Sequence, residues 1–169
     1  MRAMDELASR QLAALARVDA AFARAGIAYW LFGGWAVDFY ASSVTRSHDD
    51  LDIAVWLEDL PRIGELLEAD GWRHAPSSHD DGGTGYEEGD VRLELTYLVR
   101  ESEGNIFTPL RGGRARWPEN ALGDDARELH GVRSRLLDLQ ALARGKAIAR
   151  DDPEEAAKDQ ADFSVLSRL

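Results

Sequence analysis

A short apolar segment that ends in a pair of glycines constrains the fold of this chain more than any other feature. Residues 27–32 are mainly apolar and aromatic, and Gly33 and Gly34 follow them directly. The run predicts a buried β-strand, and the glycines predict a tight turn because they adopt backbone conformations that other residues avoid. Residues 35–40 then have the character of a short helix. The chain is therefore expected to place a strand, a turn and a helix in its core.

A second strand is predicted after the polar loop at residues 41–48. From Asp50 to Val55, polar and apolar side chains alternate, which is typical of a strand with one buried face. Asp50 and Asp52 should leave the same face of this strand, with their Cα atoms about 6.5–7 Å apart. Two carboxylates at that separation repel each other, and hard oxygen ligands of this kind suit Mg²⁺. A solvent-exposed strand face is the alternative interpretation.

A third carboxylate lies in the clearest of the predicted strands. Residues 91–97 alternate strictly between apolar and polar side chains, and Glu94 occupies a polar position in the middle. If this strand lies beside the strand of Asp50 and Asp52, the three acids form one cluster. The alternative is that Glu94 is a charge on an edge strand, where it prevents pairing with another sheet.

The remaining hydrophobic pattern predicts a mixed α/β domain with helices at its C-terminus. The predicted elements, in chain order, are an amphipathic helix at 5–25 closed by Gly26, a helix at 59–69 with Asp59 as N-cap, a short strand at 72–75, a mobile surface loop at 76–89, irregular chain at 101–124, a hairpin around His130-Gly131, and helices at 136–149 and 153–167 with Asp152 as cap of the last. We expect residues 1–134 to form one domain and residues 135–169 to form a helical segment packed on it.

Composition narrows the class of partner. The chain has 31 acidic and 20 basic residues, a net charge of −11, which disfavours nucleic acid and fits a cationic small molecule better. It has no cysteine, which excludes disulfides, thiolate metal sites and a catalytic thiol. We expect no membrane partner and a cytoplasmic location, since no apolar run is long enough to span a bilayer and the first residues lack the apolar core of a secretion signal.

Two sequence elements together carry a family resemblance. Residues 33–38 read Gly-Gly-Trp-Ala-Val-Asp, and residues 44–53 read Val-Thr-Arg-Ser-His-Asp-Asp-Leu-Asp-Ile. They resemble the nucleotidyltransferase signature of a glycine pair, a short helix and an Asp-x-Asp on a strand. More narrowly, they resemble the small antibiotic nucleotidyltransferases of the aminoglycoside 2″ type and the lincosamide type. The match is specific over about residues 27–56. Beyond it, residues 93–95 resemble the strand of a third acid, and residues 158–162 resemble the tail of the lincosamide type.

The resemblance implies a nucleotidyltransferase-like mixed β-sheet flanked by helices. It also implies that the chain transfers a nucleoside monophosphate from ATP, or another nucleoside triphosphate, to a hydroxyl of a small molecule, with an aminoglycoside- or lincosamide-like antibiotic favoured. Asp50 and Asp52 would bind Mg²⁺ at the triphosphate. Glu94 would be a third metal ligand or the general base that takes the hydroxyl proton.

The same resemblance implies nucleotide contacts. Gly33 and Gly34 would hold phosphate through the backbone, Arg46 would pair with phosphate, and Lys158 would contact the β- or γ-phosphate. His48 would fix the loop before the metal strand. A nucleotide-binding or antitoxin-like module without turnover, and an enzyme that adenylylates a protein, are the alternatives. The oligomeric state, monomer or homodimer, stays open.

One position departs from the aminoglycoside pattern. Related enzymes of that type carry a second acid two residues after the third acid, whereas this chain has Thr96 there. A cationic sugar would use that carboxylate, so its absence disfavours aminoglycosides. The acids of the predicted loop could compensate, or could form a solvated face; they are Asp80, Asp81, Glu87, Glu88 and Asp90.

Overall fold

The structure is a computed structural model that describes residues 4–148 and 150–169. The elements, in chain order, are α1 (Glu6–Ala25), β1 (Tyr29–Phe32), α2 (Gly33–Ala41), β2 (Leu51–Trp56), a 3₁₀ turn (Leu57–Asp59), α3 (Leu60–Ala69), β3 (Arg73–His74), β4 (Gly83–Glu88), β5 (Val91–Arg100), β6 (Ile106–Leu110), β7 (Gly113–Arg116), β8 (Ala126–Leu129), β9 (Val132–Arg135), α4 (Leu139–Ala147) and α5 (Pro153–Leu166).

A seven-stranded mixed sheet forms the centre of the structure. Its main path runs β1-β2-β5-β4-β3, and the C-terminal end of β5 also pairs with β6, which pairs with β7. Strands β2 and β5 are parallel, and the other pairs are antiparallel. Strands β8 and β9 form a separate hairpin. The predicted mixed sheet flanked by helices is confirmed.

The register of the strands gives the sheet two different faces. Leu31, Ile53 and Leu95 are neighbours across β1, β2 and β5, and all three are fully buried in the main core. One residue further along, Phe32 pairs with Asp52, and Asp52 pairs with Glu94. Side chains in register share a face, so the polar row lies on the opposite side of the sheet from the core. This second face carries the candidate site.

Helix α1 covers the core face and behaves as its sequence predicts. The Asp5 side chain accepts a hydrogen bond from the backbone N–H of Ala8 at 2.7 Å, and the helix ends at Gly26 in the left-handed conformation. Leu15 and Phe22 on its inner face are fully buried. Burial of each such side chain contributes about 1.5–3 kcal/mol to the free energy of unfolding, which fixes the helix against the sheet.

The prediction of a mobile loop at 76–89 is wrong for its second half. Residues 83–88 form β4, which pairs with β5 along its whole length. A Cβ at Gly83 would collide with the backbone carbonyl of Leu95, and a Cβ at Gly85 would collide with the side chain of Arg92. Gly83, one of the glycines that suggested a loop, is therefore required by the close approach of backbone within the sheet.

Other boundaries also differ from the prediction. Residues 101–124 are not mostly irregular, because β6 and β7 form a hairpin there. Asp59 precedes α3 but its side chain makes no capping hydrogen bond. Helix α4 begins at Leu139 rather than 136, because Leu137 donates a backbone hydrogen bond to the carbonyl of Leu31 at 2.9 Å. By contrast, the predicted cap is confirmed at Asp152, which accepts hydrogen bonds from the first turn of α5.

A buried ionic network joins the C-terminal helices to the loop before β2. Both oxygens of Asp162 accept hydrogen bonds at 2.9 Å from Arg46, and Asp162 also pairs with Lys146 at 2.8 Å. Lys146 reaches Asp159 at 3.1 Å, and Asp159 pairs with Arg150 at 2.6 Å. Burial alone would raise the pKa of Asp162, but the hydrogen bonds from Arg46 and Lys146 outweigh it and hold the pKa below its ordinary value. The network couples α4 and α5 to the site.

In the part of the chain that the structure covers, no helix has the length and apolar character needed to cross a membrane.

Asp162→Asn should destabilise the fold by about 3 kcal/mol at pH 7, because it leaves two buried cations short of a partner. The lowered pKa means that the stabilisation by Asp162 is present above about pH 4 and is lost as the pH falls below that value. The difference in the free energy of unfolding between variant and wild type, measured by urea denaturation, should therefore become smaller in acid. Asp124→Asn, at a fully exposed carboxylate, is the control and should stay within about 0.5 kcal/mol. If the difference in the free energy of unfolding does not change with pH, Asp162 does not stabilise the fold as an ionised group.

Candidate active site

An open cavity of about 690 Å³ lies against the polar face of the sheet. Asp50 and Asp52 line it, and Gly33 and Gly34 at the start of α2 form part of its wall. The hairpin β6–β7 bounds a second side, and α4 and α5 bound a third. The cavity therefore collects residues from segments that are far apart in sequence, and its size suits a small-molecule site.

Asp50 and Asp52 form the electrostatic centre of this cavity. Asp50 immediately precedes β2 rather than starting it, and its carboxyl group lies close to that of Asp52. Burial and the negative charge of Asp50 raise the pKa of Asp52 well above its ordinary value. Burial also raises the pKa of Asp50. Two acids brought this close together are arranged to bind a cation.

The glycine pair lets the backbone approach this centre. Gly33 has a φ of +71°, and a Cβ there would lie 2.5 Å from Oδ2 of Asp52. A Cβ at Gly34 would overlap Arg46 and would lie 2.6 Å from Nδ1 of His48. The structure places both glycines inside the first turn of α2, where backbone N–H groups lack helical partners and can bind an anion.

A buried hydrogen-bonded triad fixes the loop between α2 and β2. Asp38, on α2, is fully buried, and its Oδ2 lies 2.5 Å from Nε2 of His48. The other oxygen of Asp38 accepts hydrogen bonds from the backbone and the hydroxyl of Thr45. The His48 ring also packs on Trp35 with centroids 4.7 Å apart. His48 therefore anchors the loop.

Glu94 lies next to Asp52 in the neighbouring strand and is held by an arginine. The described residues that line the cavity include Asp50 and Asp52 but not Glu94. Oε1 of Glu94 accepts a hydrogen bond from Arg92, which also donates to Glu87 at 2.9 Å. Burial raises the pKa of Glu94 despite the opposing effect of Arg92. Because β5 lies between β2 and β4, the edge-strand alternative does not apply to it.

Arg46 and Lys158, the two cations predicted to contact phosphate, both line the cavity, and each forms an ion pair with an acidic side chain. Arg46 holds Asp162 in the bidentate pair described above. Lys158 pairs with Asp49 at 2.6 Å, and Asp49 is exposed at the cavity wall. Asp49, the first acid of the Asp-Asp-x-Asp run, thus pairs with a lysine and is not part of the pair formed by Asp50 and Asp52.

Sequence reasoning missed the contribution of α4 and the residues after it. Arg144, Lys146 and Arg150 all line the cavity, and Lys146 and Arg150 are close enough to act on the charge of Asp52. Basic residues at a helix C-terminus are common because they interact favourably with the helix dipole. Their sequence position therefore carried no functional signal, and only the packing of the helix shows where they point.

The donor set fits a divalent cation held in part by substrate. Across residues 4–148 and 150–169, no three His, Cys, Asp or Glu side chains are grouped to hold a metal by themselves. Mg²⁺ is usually bound by one or two carboxylates, with phosphate oxygens and water completing its shell. Asp50 and Asp52 supply two such carboxylates beside backbone N–H groups and several cations. The arrangement can bind a polyphosphate and neutralise its charge.

Comparison with solved structures identifies the fold. The crystal structure of ANT(2″)-Ia in complex with adenylyl-2″-tobramycin matches with a TM-score of 0.75 and 21% identity, over 94% of this chain and 88% of that chain. The lincosamide antibiotic adenylyltransferase LnuA, lincomycin-bound, matches with a TM-score of 0.69 and 19% identity, over 89% and 92% of the two chains. A putative nucleotidyltransferase from Thermotoga maritima matches with a TM-score of 0.57 and 14% identity, over 95% of each. These likenesses show the nucleotidyltransferase fold.

Sequence comparison identifies the family. A comparison with curated proteins gave no match. The family model described as aminoglycoside-2″-adenylyltransferase matches residues 14–103, which run from α1 through β5 and hold both motifs of the resemblance. The predicted resemblance to the antibiotic nucleotidyltransferases is thereby confirmed. This chain belongs to the aminoglycoside-2″-adenylyltransferase family of nucleotidyltransferase enzymes.

Proposed function

We propose that the protein is a Mg²⁺-dependent adenylyltransferase that moves AMP from ATP to a hydroxyl group of a small molecule. The observation that carries the proposal is the pair Asp50 and Asp52, two carboxylates that line one cavity beside the glycine turn at the start of α2. Asp50 and Asp52 would hold Mg²⁺, which when bound would neutralise charge on the phosphate oxygens. An antibiotic of the aminoglycoside or lincosamide kind is the proposed acceptor class.

The residues around the pair supply binding and positioning. The N–H groups of Gly33 and Gly34 would hold phosphate oxygens, and the partial positive charge at the start of α2 favours an anion there. Arg150 and Lys158 are the half-exposed cations that would balance the triphosphate, while Arg46 keeps the loop in place through Asp162. Such preorganised charges supply most of the rate enhancement in phosphoryl-type transfer.

Glu94 is the proposed proton acceptor. Arg92 holds Oε1, and Oε2 accepts no hydrogen bond from the residues described. The acceptor oxygen would form a bond to the α-phosphorus as its proton passes to Glu94, and the bond from the α-phosphorus to the bridging oxygen would break to release pyrophosphate. The raised pKa of Glu94 makes it a stronger base than an ordinary carboxylate.

The alternatives, a binding module without turnover and a protein adenylyltransferase, are not favoured by family membership. Incubation of pure protein with Mg²⁺, ATP and hydroxylated antibiotics should release pyrophosphate only when an acceptor is present. Calorimetry should show ATP binding that is lost when EDTA removes the metal. Binding without release would instead support the binding module, and transfer only to a polypeptide would support the protein-modifying enzyme.

Asp52→Asn should lower kcat by at least about 100-fold, because it removes one of the two carboxylates that would hold the Mg²⁺ needed to neutralise charge on the phosphate oxygens. The raised pKa of Asp52 means that its ionised form costs stability above that pKa, so the variant should melt no lower than wild type at neutral pH. Asp124→Asn, at an exposed acid outside the cavity, is the control and should keep most of the activity. Equal activity in both variants would remove Asp52 from the reaction.

Gly33→Ala should abolish ATP binding, because the new methyl group would displace the Asp52 carboxylate. Gly26→Ala is a matched control, since Gly26 has a nearly identical φ of +69° and no atom within 4 Å of the place that a methyl group would occupy. Both variants should lose about 1–2 kcal/mol of stability from the left-handed backbone. Only Gly33→Ala should lose nucleotide affinity in calorimetry, and a similar loss in Gly26→Ala would show that backbone strain alone is responsible.

A further inference from the structure

The walls of the cavity differ in chemistry, and the difference bears on the acceptor in the proposed reaction. Helices α4 and α5 and the segment between them contribute cations to one wall, namely Arg144, Lys146, Arg150 and Lys158. Glu155 and Asp159 line the same wall, which keeps a net positive charge and therefore favours a polyphosphate. If nucleotide occupies it, the acceptor must contact the opposite wall, which is built by the hairpin β6–β7 and the residues directly after it.

The hairpin wall is largely apolar. Leu110, Ala115, Trp117 and Pro118 line it, and Phe32 continues it towards Asp52. The rings of Phe32 and Trp117 pack edge to face with centroids 5.8 Å apart. An aromatic surface of this kind binds an apolar face of a ligand, and it does not compensate an ammonium group as a carboxylate would.

The Trp117 ring is held in a fixed orientation. Its Nε1 donates to the hydroxyl of Thr108 at 2.8 Å, and that hydroxyl donates to the backbone carbonyl of Tyr97 at 2.8 Å. Thr108 is buried. The polar atoms behind the wall are therefore satisfied by one another, and the apolar surface of the indole is left to face the cavity.

The wall carries little negative charge. Asp81, which lies just before β4, lines the cavity on this side. Its side chain accepts a hydrogen bond at 2.9 Å from the backbone N–H of Arg111. Arg116 lines the same wall, is exposed, and forms no ion pair with any residue described. The charged groups of this wall are therefore one carboxylate and one guanidinium. Thr96 contributes an uncharged hydroxyl group.

Of the four remaining acids of this region, three pair with arginines, and the fourth, Asp80, accepts a hydrogen bond from the backbone N–H of Ser77 at 2.7 Å and does not line the cavity. Glu87 pairs with Arg73 at 2.6 Å and with Arg92. The other two acids pair with α1, Glu88 with Arg17 and Asp90 with Arg10. None of these four acids lines the cavity, so they do not compensate there for the acid that is missing at Thr96.

We propose that the acceptor is a hydroxylated molecule with an apolar face and at most one positive charge, which packs on Trp117, rather than a polycationic amino sugar. This inference rests on the proposed adenylyl transfer. A polyamine would lose hydration in the cavity without gaining the carboxylates that could replace it. An amphiphilic acceptor would lay its apolar side on the indole and present its hydroxyl towards Asp52, beside which Glu94 lies in the neighbouring strand.

Competition between acceptors tests the proposal. The probes are lincomycin, which has one amine and apolar substituents, and tobramycin, which has several amines. We expect kcat/KM from pyrophosphate release to be at least about tenfold higher with lincomycin, and calorimetry with a non-hydrolysable ATP analogue to rank binding in the same order. Equal or preferred use of tobramycin would overturn the proposal, as would binding of neither. Absence of ATP binding would instead refute the proposed function.

Variants of the wall provide a second test. Trp117→Ala should raise KM for lincomycin at least about tenfold and leave KM for ATP unchanged, while Trp117→Phe restores most of the loss. Arg116→Glu should shift the ratio of kcat/KM values towards tobramycin. Arg133→Glu makes the same charge change on the exposed strand β9, outside the cavity, and should leave the ratio unchanged. An unaltered ratio in Arg116→Glu would show that this wall does not contact the acceptor.

Discussion

The repulsion between Asp50 and Asp52 is the constraint on which the rest of the site depends. Two acids whose side chains meet are unstable as a pair of anions, and partial burial increases the cost. The protein holds them together with rigid neighbours: β2 pairs on both sides with other strands, and the buried contact of Asp38 with His48 fixes the preceding loop. The repulsion between the two acids lowers the stability of the fold, but it allows a cation and its phosphates to be bound strongly. Active sites commonly show this trade-off between stability and activity.

The C-terminal helices complete the site and are held to it by charge. The buried carboxylates of Asp162 and Asp159 bind Arg46, Lys146 and the half-exposed Arg150 in one network. Each cation is restrained by a carboxylate and therefore adopts a defined position, at little further loss of conformational entropy on binding. Because Arg46 belongs to the loop before β2, a movement of α5 would also move the acids. We therefore regard residues 135–169 as part of the site rather than an appendage.

The sequence predicts those parts of the site that are local. The glycine pair, the short helix and the strand of Asp52 lie within about twenty residues, and their spacing alone places two carboxylates on one face. Alternation in β5 likewise predicts Glu94 on a polar face, and the register with β2 confirms that it neighbours Asp52. Strand β4 could not be predicted, since its glycines resemble a loop until β5 is known to lie against them. Lys146 was missed because a lysine at a helix end is ordinarily solvated.

Net charge shows most clearly why composition alone predicts poorly. A net charge of −11 suggested a cationic substrate. In the structure, however, Glu88 and Asp90 pair with arginines of α1, and Asp159 and Asp162 pair with cations of the site. Asp50 and Asp52 are positioned for a metal. Few acids therefore remain free to pair with a cationic acceptor, because an acid that is already in an ion pair gains little from binding a further cation. The charge of the substrate therefore has to be inferred from the individual walls of the cavity. There, the apolar indole of Trp117 and the guanidinium of Arg116 are better guides than the net charge of the whole chain.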